Sequence, residues 1–236
     1  MRPSDVVRSV LFYIFFYLGS AIYVPCALAT IPFSKKVYRR AAEGWSGFHR
    51  LCVRWLLGIK VVVQGDLPMK DTLVAMKHES FFEAIDMPNM LENPAIFAKA
   101  ELLRIPLWGR AGSAYGLIAV EREGGAKALR KMISAAKAHY QSGRVLAIFP
   151  EGTRVPHGKI APLQSGFSGL YKLLGLPVVP IAVDSGTLYH RRWKRAGTIT
   201  VVVGEAIPPG LPRAEIEAQV ISAINVLNTA GQDSLA

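Results

Sequence analysis

The period of the hydrophobic positions changes along this chain of 236 residues. The chain begins with the stretch 9–34, whose 26 uncharged residues are enough to cross a bilayer as a helix. Cations precede and follow this stretch, so the charge distribution does not indicate its orientation. Three arrangements remain open: a simple span, a segment that dips into the bilayer and returns on the cytoplasmic side, and a buried helix of a soluble domain.

The stretch 34–57 is predicted to be a second helix, because its apolar residues recur at helical spacing with cations between them. The apolar positions are Val37, Ala41, Trp45, Phe48, Cys52 and Leu56. Such a helix either packs on the domain that follows or lies in the membrane interface, where its cations would face anionic lipid.

From residue 59 onward, short β-branched runs alternate with helical stretches. The runs are 59–63, 72–76, 95–98, 117–120, 145–149, 178–183 and 198–203. The helices are predicted at 125–141, 167–174 and 213–228. This alternation predicts an α/β domain with a mainly parallel sheet flanked by helices. The chain is thus divided into N-terminal membrane-anchoring helices (1–57), the α/β domain (58–228) and a loose C-terminal tail (229–236).

Composition adds a preference for anionic partners. The chain is 51% hydrophobic and 19% charged, with a formal net charge of +11. A basic and apolar chain favours a membrane surface or an anionic substrate. No zinc-finger spacing or other nucleic-acid signature accompanies the charge, so nucleic acid is not an expected partner. Cys26 and Cys52 lie in or near apolar stretches and indicate neither a disulfide framework nor a metal site, which favours a reducing compartment.

The first candidate site is the stretch "KHESFFE", residues 77–83. His78 directly follows a predicted strand, and catalytic groups of open α/β sheets gather at the carboxyl ends of strands. Ser80 and Glu83 form a capping box that would start a helix. On one continuous helix His78 and Glu83 would diverge by about 140°, so they meet only if His78 lies in the turn before the helix. The structural alternatives are a satisfied polar residue at a strand end and a plain helix cap.

The second candidate site is "FPEGTR", residues 149–154, directly after another strand run. Glu151, Thr153 and Arg154 are expected to project from a turn that contains Gly152. An arginine there could bind a phosphate in bidentate fashion, beside a carboxylate and a hydroxyl suited to a polyol. The alternative is an ordinary turn with a surface ion pair.

Three further stretches carry weaker signals. Lys99 and Arg122 lie near the ends of two strand runs, where they are either substrate ligands or part of a solvated basic rim. The stretch "VPIAV", 179–183, is typical of a buried strand. The stretch "RRWKR", 191–195, could meet coenzyme phosphates, an acidic carrier protein or anionic lipid, or be a solvated loop.

In combination these stretches resemble the 1-acylglycerol-3-phosphate acyltransferase family, the glycerolipid acyltransferases with a His-x4-Asp motif. The four blocks "HESFFE", "GLIAVER", "FPEGTR" and "VPIAV" occur in the family's order and spacing, and the resemblance covers about residues 55–205. Glu83 stands where the family usually has aspartate. Its carboxylate is expected to serve, with Asp86 and Glu79 as alternatives.

The resemblance implies transfer of an acyl group from acyl-CoA or acyl-carrier protein to the 2-hydroxyl of lysophosphatidic acid, giving phosphatidic acid. His78 would be the general base, and Glu83 would accept a hydrogen bond from its other ring nitrogen. The residues implied in substrate binding are Lys99, Arg122, Glu151, Gly152, Thr153 and Arg154. No metal and no cofactor beyond the acyl donor are expected.

The resemblance also places the protein at the cell membrane, with the active site facing the cytoplasm and the bilayer as a partner. Three alternatives stay open. The acceptor could be another one, such as lyso-ornithine lipid, a different lysophospholipid or glycerol 3-phosphate. The protein could instead be a membrane-bound thioesterase, or a catalytically silent membrane-surface protein.

Overall fold

The computed structural model describes residues 2–68, 70–121 and 124–229, and within them seven strands form one sheet. The strands are β1 (Ile59–Gln64), β2 (Leu73–Met76), β3 (Ala95–Lys99), β4 (Ile118–Val120), β5 (Leu146–Ile148), β6 (Val178–Val183) and β7 (Gly197–Val203). Their order is β1-β7-β6-β2-β5-β3-β4. β6 and β7 pair antiparallel, and the other neighbouring pairs are parallel. The predicted mainly parallel sheet is confirmed, and each predicted strand run overlaps an observed strand.

Eight helices flank the sheet in the described part of the chain. They are α1 (Pro3–Ala29), α2 (Lys35–Trp55), α3 (Phe81–Met90), α4 (Trp108–Tyr115), α5 (Gly125–Gln141), α6 (Ser165–Leu174), α7 (Arg213–Ile224) and α8 (Val226–Thr229). Short 3-10 turns occupy Ala100–Arg104 and Ser185–Thr187. The helix predicted at 213–228 is interrupted at Asn225, which leaves the helical conformation. Residues 230–236 of the predicted tail lie outside the described residues.

The hydrophobic core lies on both faces of the sheet, as expected for strands with continuous apolar runs. Every residue of β2 and β6 is buried. One cluster packs residues of α1, α2 and α3 on one face, including Phe12, Val53 and Phe82. The other cluster packs α5, α6 and α7 on the opposite face, including Phe167 and Val220. The strands that carry the candidate sites are therefore held rigidly from both sides.

α1 is long and apolar enough to cross a membrane, and most of its apolar window lies outside the core. It is nevertheless docked on the α/β domain. The backbone N–H of Lys194 donates to Ser9 Oγ over 2.8 Å, and the Tyr13 hydroxyl donates to the Arg192 carbonyl. The outward face of α1 exposes large apolar side chains, among them Phe15 and Leu18. α1 thus has a packed face and an unpartnered apolar face.

α2 is packed on the domain, which confirms one of the two expectations for it. Its N-cap is Ser34, whose hydroxyl accepts from the Val37 N–H. Val53 is fully buried, and the Ser46 hydroxyl donates to the Ile85 carbonyl of α3 over 2.6 Å. Trp55 is exposed at the end of the helix. α2 thereby connects α1 to the helix that follows His78.

Candidate active site

His78 lies at the carboxyl end of β2, between the segments that follow β5 and β6. The backbone N–H of Lys77 donates to the Ile181 carbonyl of β6 over 2.8 Å. The His78 N–H donates to Glu151 Oε2 over 3.1 Å, and the His78 carbonyl accepts from the Val155 N–H over 2.8 Å. Parallel strands bring their carboxyl ends to one edge of the sheet, so three separate chain segments meet at this histidine.

The His78 ring is held in its neutral form. It stacks on Phe149, with ring centroids 4.1 Å apart. Burial lowers the pKa of His78 to about 4, and the nearby basic groups of Arg154, His190 and Lys99 add to that effect. The buried Nδ1 atom has no hydrogen-bond partner among the described residues. A neutral ring at neutral pH can accept a proton, which is the first requirement of a general base.

Glu83 occupies the capping position that its spacing from Ser80 predicts. Its carboxylate accepts from the backbone N–H of Glu79 over 2.7 Å, from the Ser80 N–H over 3.1 Å and from the Ser80 hydroxyl over 2.8 Å. The expected hydrogen bond between Glu83 and His78 is absent from the structure. The capping geometry explains this, because the carboxylate turns back to the start of its own helix. Complete burial raises the pKa of Glu83 to about 7.

The two alternative acids also have other partners. Asp86 forms a two-point ion pair with Arg50 of α2. Glu79 Oε1 is hydrogen-bonded to His157 Nδ1 over 3.0 Å, and Glu79 Oε2 accepts from the Gly186 N–H over 2.8 Å. Neither acid supplies the hydrogen bond that was expected for His78. All three carboxylates of "HESFFEAID" instead fix the turn and helix that carry the histidine.

The turn of "FPEGTR" places its acid inside the protein rather than on the surface. Gly152 has a φ of +66°, which a glycine adopts without strain. Thr153 and Arg154, which follow it, are exposed. Glu151 is 1% exposed, and its Oε1 accepts from Lys77 Nζ over 2.6 Å. The expectation that Glu151 projects from the turn towards a substrate is therefore wrong. Its carboxylate is needed to balance a buried ammonium group.

Lys77 is a site residue that the sequence reasoning missed. Its ammonium group is buried and also donates to Asn225 Oδ1 over 2.8 Å and to the Lys159 carbonyl over 3.2 Å. The available signal was a lysine at the end of a fully apolar strand, which requires a partner for its charge. The network joins the ends of β2 and β5 to the residue that follows α7.

The remaining predicted ligands surround one cavity. His78, Lys99, Gly152, Thr153 and Arg154 all line it. The Arg154 guanidinium lies over the Phe81 ring, 4.1 Å from its centroid, and Lys99, Thr153 and Arg154 are solvent-exposed. Arg122, also predicted as a substrate ligand, lies outside the described residues.

The cavity has a volume of about 760 Å³ and a mainly apolar wall. It extends from His78 and is lined by helices from both faces of the sheet. The wall residues from α1, α2 and α4 are Tyr23, Val24, Ala27, Tyr38, Ala42, Trp45, Trp108, Ala111, Gly112 and Tyr115. A second set comes from α5 and α6, including Leu129 and Phe167. Such a shape can hold a fatty chain with its polar end beside the histidine. Within the described residues, no group of three or more His, Cys, Asp or Glu side chains could hold a metal ion.

A buried neutral histidine at the edge of a mainly parallel sheet, with cations and an apolar cavity beside it, is an arrangement suited to amphipathic substrates. Residues 58–184 match the model of the Acyltransferase family, and the chain belongs to this family.

Named relatives make the comparison more specific. The 1-acyl-sn-glycerol-3-phosphate acyltransferase of Pseudomonas aeruginosa is 32% identical over 216 residues, which are 88% of this chain and 83% of that protein. The human 1-acyl-sn-glycerol-3-phosphate acyltransferase beta is 26% identical over 162 residues, which are 66% of this chain and 58% of that protein. The crystal structure of the 1-acyl-sn-glycerophosphate acyltransferase PlsC from Thermotoga maritima has the same fold. It matches with a TM-score of 0.75 at 20% identity, over 97% of this chain and 98% of that one.

Proposed function

We propose that the protein transfers a fatty acyl group from acyl-CoA or acyl-carrier protein to the 2-hydroxyl of 1-acylglycerol 3-phosphate, giving phosphatidic acid. The observation that carries this proposal is the neutral His78 ring on the wall of an apolar cavity that two cations, Lys99 and Arg154, also line. A lysolipid with a phosphate has the matching chemistry, because its hydroxyl lies between an apolar chain and an anionic group. The name of the Pseudomonas relative supports the same acceptor.

His78 acts as the general base in this proposal. The acceptor hydroxyl gives its proton to the imidazole as its oxygen attacks the thioester carbonyl, and the proton then passes to the departing thiolate. Two of the groups that lower the pKa of His78, Arg154 and Lys99, are those assigned to the acceptor phosphate. A bound phosphate would offset their charge and raise the pKa of His78, making it a stronger base only when substrate is present. Such a base accelerates a reaction by roughly 10²–10⁴-fold.

Glu83 and Glu151 position the base rather than bind the substrate. Glu83 holds the backbone of residues 79 and 80, and Glu151 holds the N–H of His78 itself. Thr153, Arg154 and Lys99 are left to contact the acceptor. Transfer is direct in this arrangement, with no covalent intermediate on the protein.

The enzyme is proposed to act at the cell membrane, with its active site facing the cytoplasm. α1 contributes Tyr23 and Ala27 to the cavity wall, while its other face exposes apolar side chains. α1 contacts the domain at Ser9 and Tyr13 and contacts α2 at Phe16 and Ser20. This packing favours a helix that lies along the protein in the membrane interface. Lipid could then enter the cavity laterally, without exposing methylene groups to water at about 0.8 kcal/mol each.

The test is an acyl-transfer assay in detergent micelles. Labelled acyl-CoA and acyl-carrier protein are each offered with lysophosphatidic acid, with lyso-ornithine lipid and without acceptor. The parent protein is compared with His78→Ala, and with His139→Ala as a matched control. His139 lies on α5 and does not line the cavity. We expect labelled phosphatidic acid from the parent and the control, and at least about a hundredfold less from His78→Ala.

The other outcomes identify the competing functions. Activity with lyso-ornithine lipid alone would keep the mechanism and replace the acceptor. Release of labelled fatty acid without acylated lipid would mark a thioesterase. Full phosphatidic acid synthesis by His78→Ala would refute the assignment of the base, and inactivity of the parent with every acceptor and donor would refute the enzyme class.

A further inference from the structure

The segment after β6 is bonded directly to the turn that carries His78. β6 neighbours β2 in the sheet, so this segment leaves the same edge beside the histidine. The hydroxyls of Ser185 and Ser80 are hydrogen-bonded over 2.7 Å. The Gly186 N–H donates to the buried carboxylate of Glu79 over 2.8 Å. The basic stretch that follows, 190–195, is therefore held next to the catalytic turn.

The backbone of this stretch is fixed by a buried cation. Lys194 is 7% exposed, and its ammonium group donates to the carbonyls of Tyr189 over 2.9 Å and Arg191 over 3.4 Å. The Tyr13 hydroxyl of α1 donates to the carbonyl of Arg192. The Arg195 N–H donates to the Leu188 carbonyl over 3.0 Å. With its backbone held in this way, the loop presents its other cations on a preorganised frame.

Four basic side chains of the loop face solvent: His190, Arg191, Arg192 and Arg195. The ion pairs among the described residues include none of the three arginines. Guanidinium groups on a rigid frame are well suited to phosphate, which they bind in bidentate fashion. The loop also comes close to the active site, because His190 is near enough to His78 for its protonated form to lower the pKa of that ring.

Two cationic groups thus flank His78 on different strands. Lys99 ends β3 and Arg154 follows β5 on one side, and the loop 190–195 follows β6 on the other. The proposed reaction has two anionic substrates, and their phosphates repel each other if they share a site. Separate cationic sites on either side of the base would let both substrates approach His78 together.

We infer that the loop 190–195 binds the phosphates of the thioester donor, namely those on the pantetheine arm of coenzyme A or of a carrier protein. This inference rests on the proposed function and extends it to the second substrate. The donor's thioester carbon would then lie between the loop and the acceptor hydroxyl. Attack forms the ester C–O bond and breaks the C–S bond, and the thiol leaves with the proton carried by His78.

The test is the triple variant Arg191→Gln, Arg192→Gln and Arg195→Gln in the full chain. These changes keep the backbone carbonyls that Tyr13 and Lys194 hold. The KM for the donor should rise about tenfold or more, because one charge-assisted hydrogen bond is worth about that factor. The KM for lysophosphatidic acid and kcat should change by less than about twofold. Parallel assays with acyl-CoA and acyl-carrier protein show which donor the loop serves, and an effect on either one supports the inference.

A matched control removes the same charge elsewhere. Arg130, Lys131 and Lys137 are exposed on α5 and do not line the cavity. Their triple replacement by glutamine should leave the donor KM unchanged. It also shows how much of any effect comes from net charge and from attraction to anionic lipid.

A binding measurement separates this inference from the proposed function. Free coenzyme A and the carrier protein with its pantetheine arm are each titrated calorimetrically into the detergent-solubilised parent and the loop variant, without acceptor. Weaker binding of either probe to the variant supports the loop site, even if lysophosphatidic acid proves to be the wrong acceptor. If the loop variant keeps the parent's affinity for both probes and the parent's donor KM, the inference is overturned. This holds even if the variant binds anionic vesicles more weakly than the parent does.

Discussion

Replacing Lys77 by methionine tests the buried network beneath the active site. The ammonium group of Lys77 is the partner of the buried Glu151 carboxylate, at a distance of 2.6 Å. Methionine has a similar shape but leaves that carboxylate without its counter-charge. Removing one partner of a buried ion pair costs about 3–5 kcal/mol. We expect this loss in the free energy of unfolding, together with reduced acyl transfer, because Glu151 also holds the His78 N–H.

The double variant Lys77→Met with Glu151→Gln supplies the decisive comparison. It removes the uncompensated charge and keeps an amide oxygen for the His78 N–H, so it should recover most of the lost stability. An exposed pair provides the control: Arg213 and Glu217 are 2.9 Å apart, and the Arg213 side chain is 64% exposed. Arg213→Met should cost less than about 1 kcal/mol.

The measurement is urea unfolding in detergent, followed by tryptophan fluorescence. The reasoning is refuted if Lys77→Met costs less than about 1 kcal/mol. It is equally refuted if the double variant is no more stable than the single one. Activity of the double variant then reports whether the charge itself, or only the position of His78, matters for transfer.

Three further predictions concern pH and chain length. The pKa of His78 is lowered to about 4, so kcat/KM should fall on the acid side with an apparent pKa near 4 in the free enzyme. A fall with an apparent pKa of 6.5 or above would contradict the burial argument. The pKa of Glu83 is raised from 4.5 to about 7, so its contribution to stability is fully present below pH 4.5 and is lost as the pH rises through 7. Urea unfolding of Glu83→Gln should lack this decline, which is about 3 kcal/mol in size, and an unchanged pH profile would refute the assignment. Ala111 lines the cavity, and Ala111→Phe narrows it. The variant should lower kcat/KM for long-chain substrates more than for short-chain ones. An equal effect on all chain lengths would show that acyl chains bind elsewhere.

Local pattern predicted most of the architecture. α5 begins at Gly125 and ends at Gln141, as its helical period indicates, and Ser80 caps α3. α4 was missed because its sequence lacks the usual signals of a helix start. Leu107, the residue before it, has a φ of +63° and no side-chain cap, and two glycines lie within its eight residues. Gly109 is needed there because a Cβ atom would clash with the Leu103 carbonyl. This requirement comes from packing against Leu103, and the hydrophobic period of the sequence does not reveal it.

Local sequence patterns were sufficient to predict the alternation of strands and helices, the apolar N-terminal segment, and the position of His78 at a strand end. These properties depend on residues close together in the chain, where period and spacing are sufficient. The pairing of the charged groups, in contrast, depends on contacts that only the folded chain forms. Glu83 turns to its own helix cap, and Glu151 turns inward to Lys77, which lies 74 positions away in the chain. A buried charge is stable only with the partner that the fold brings within hydrogen-bond distance, and no local pattern in the sequence reveals a partner so far away in the chain.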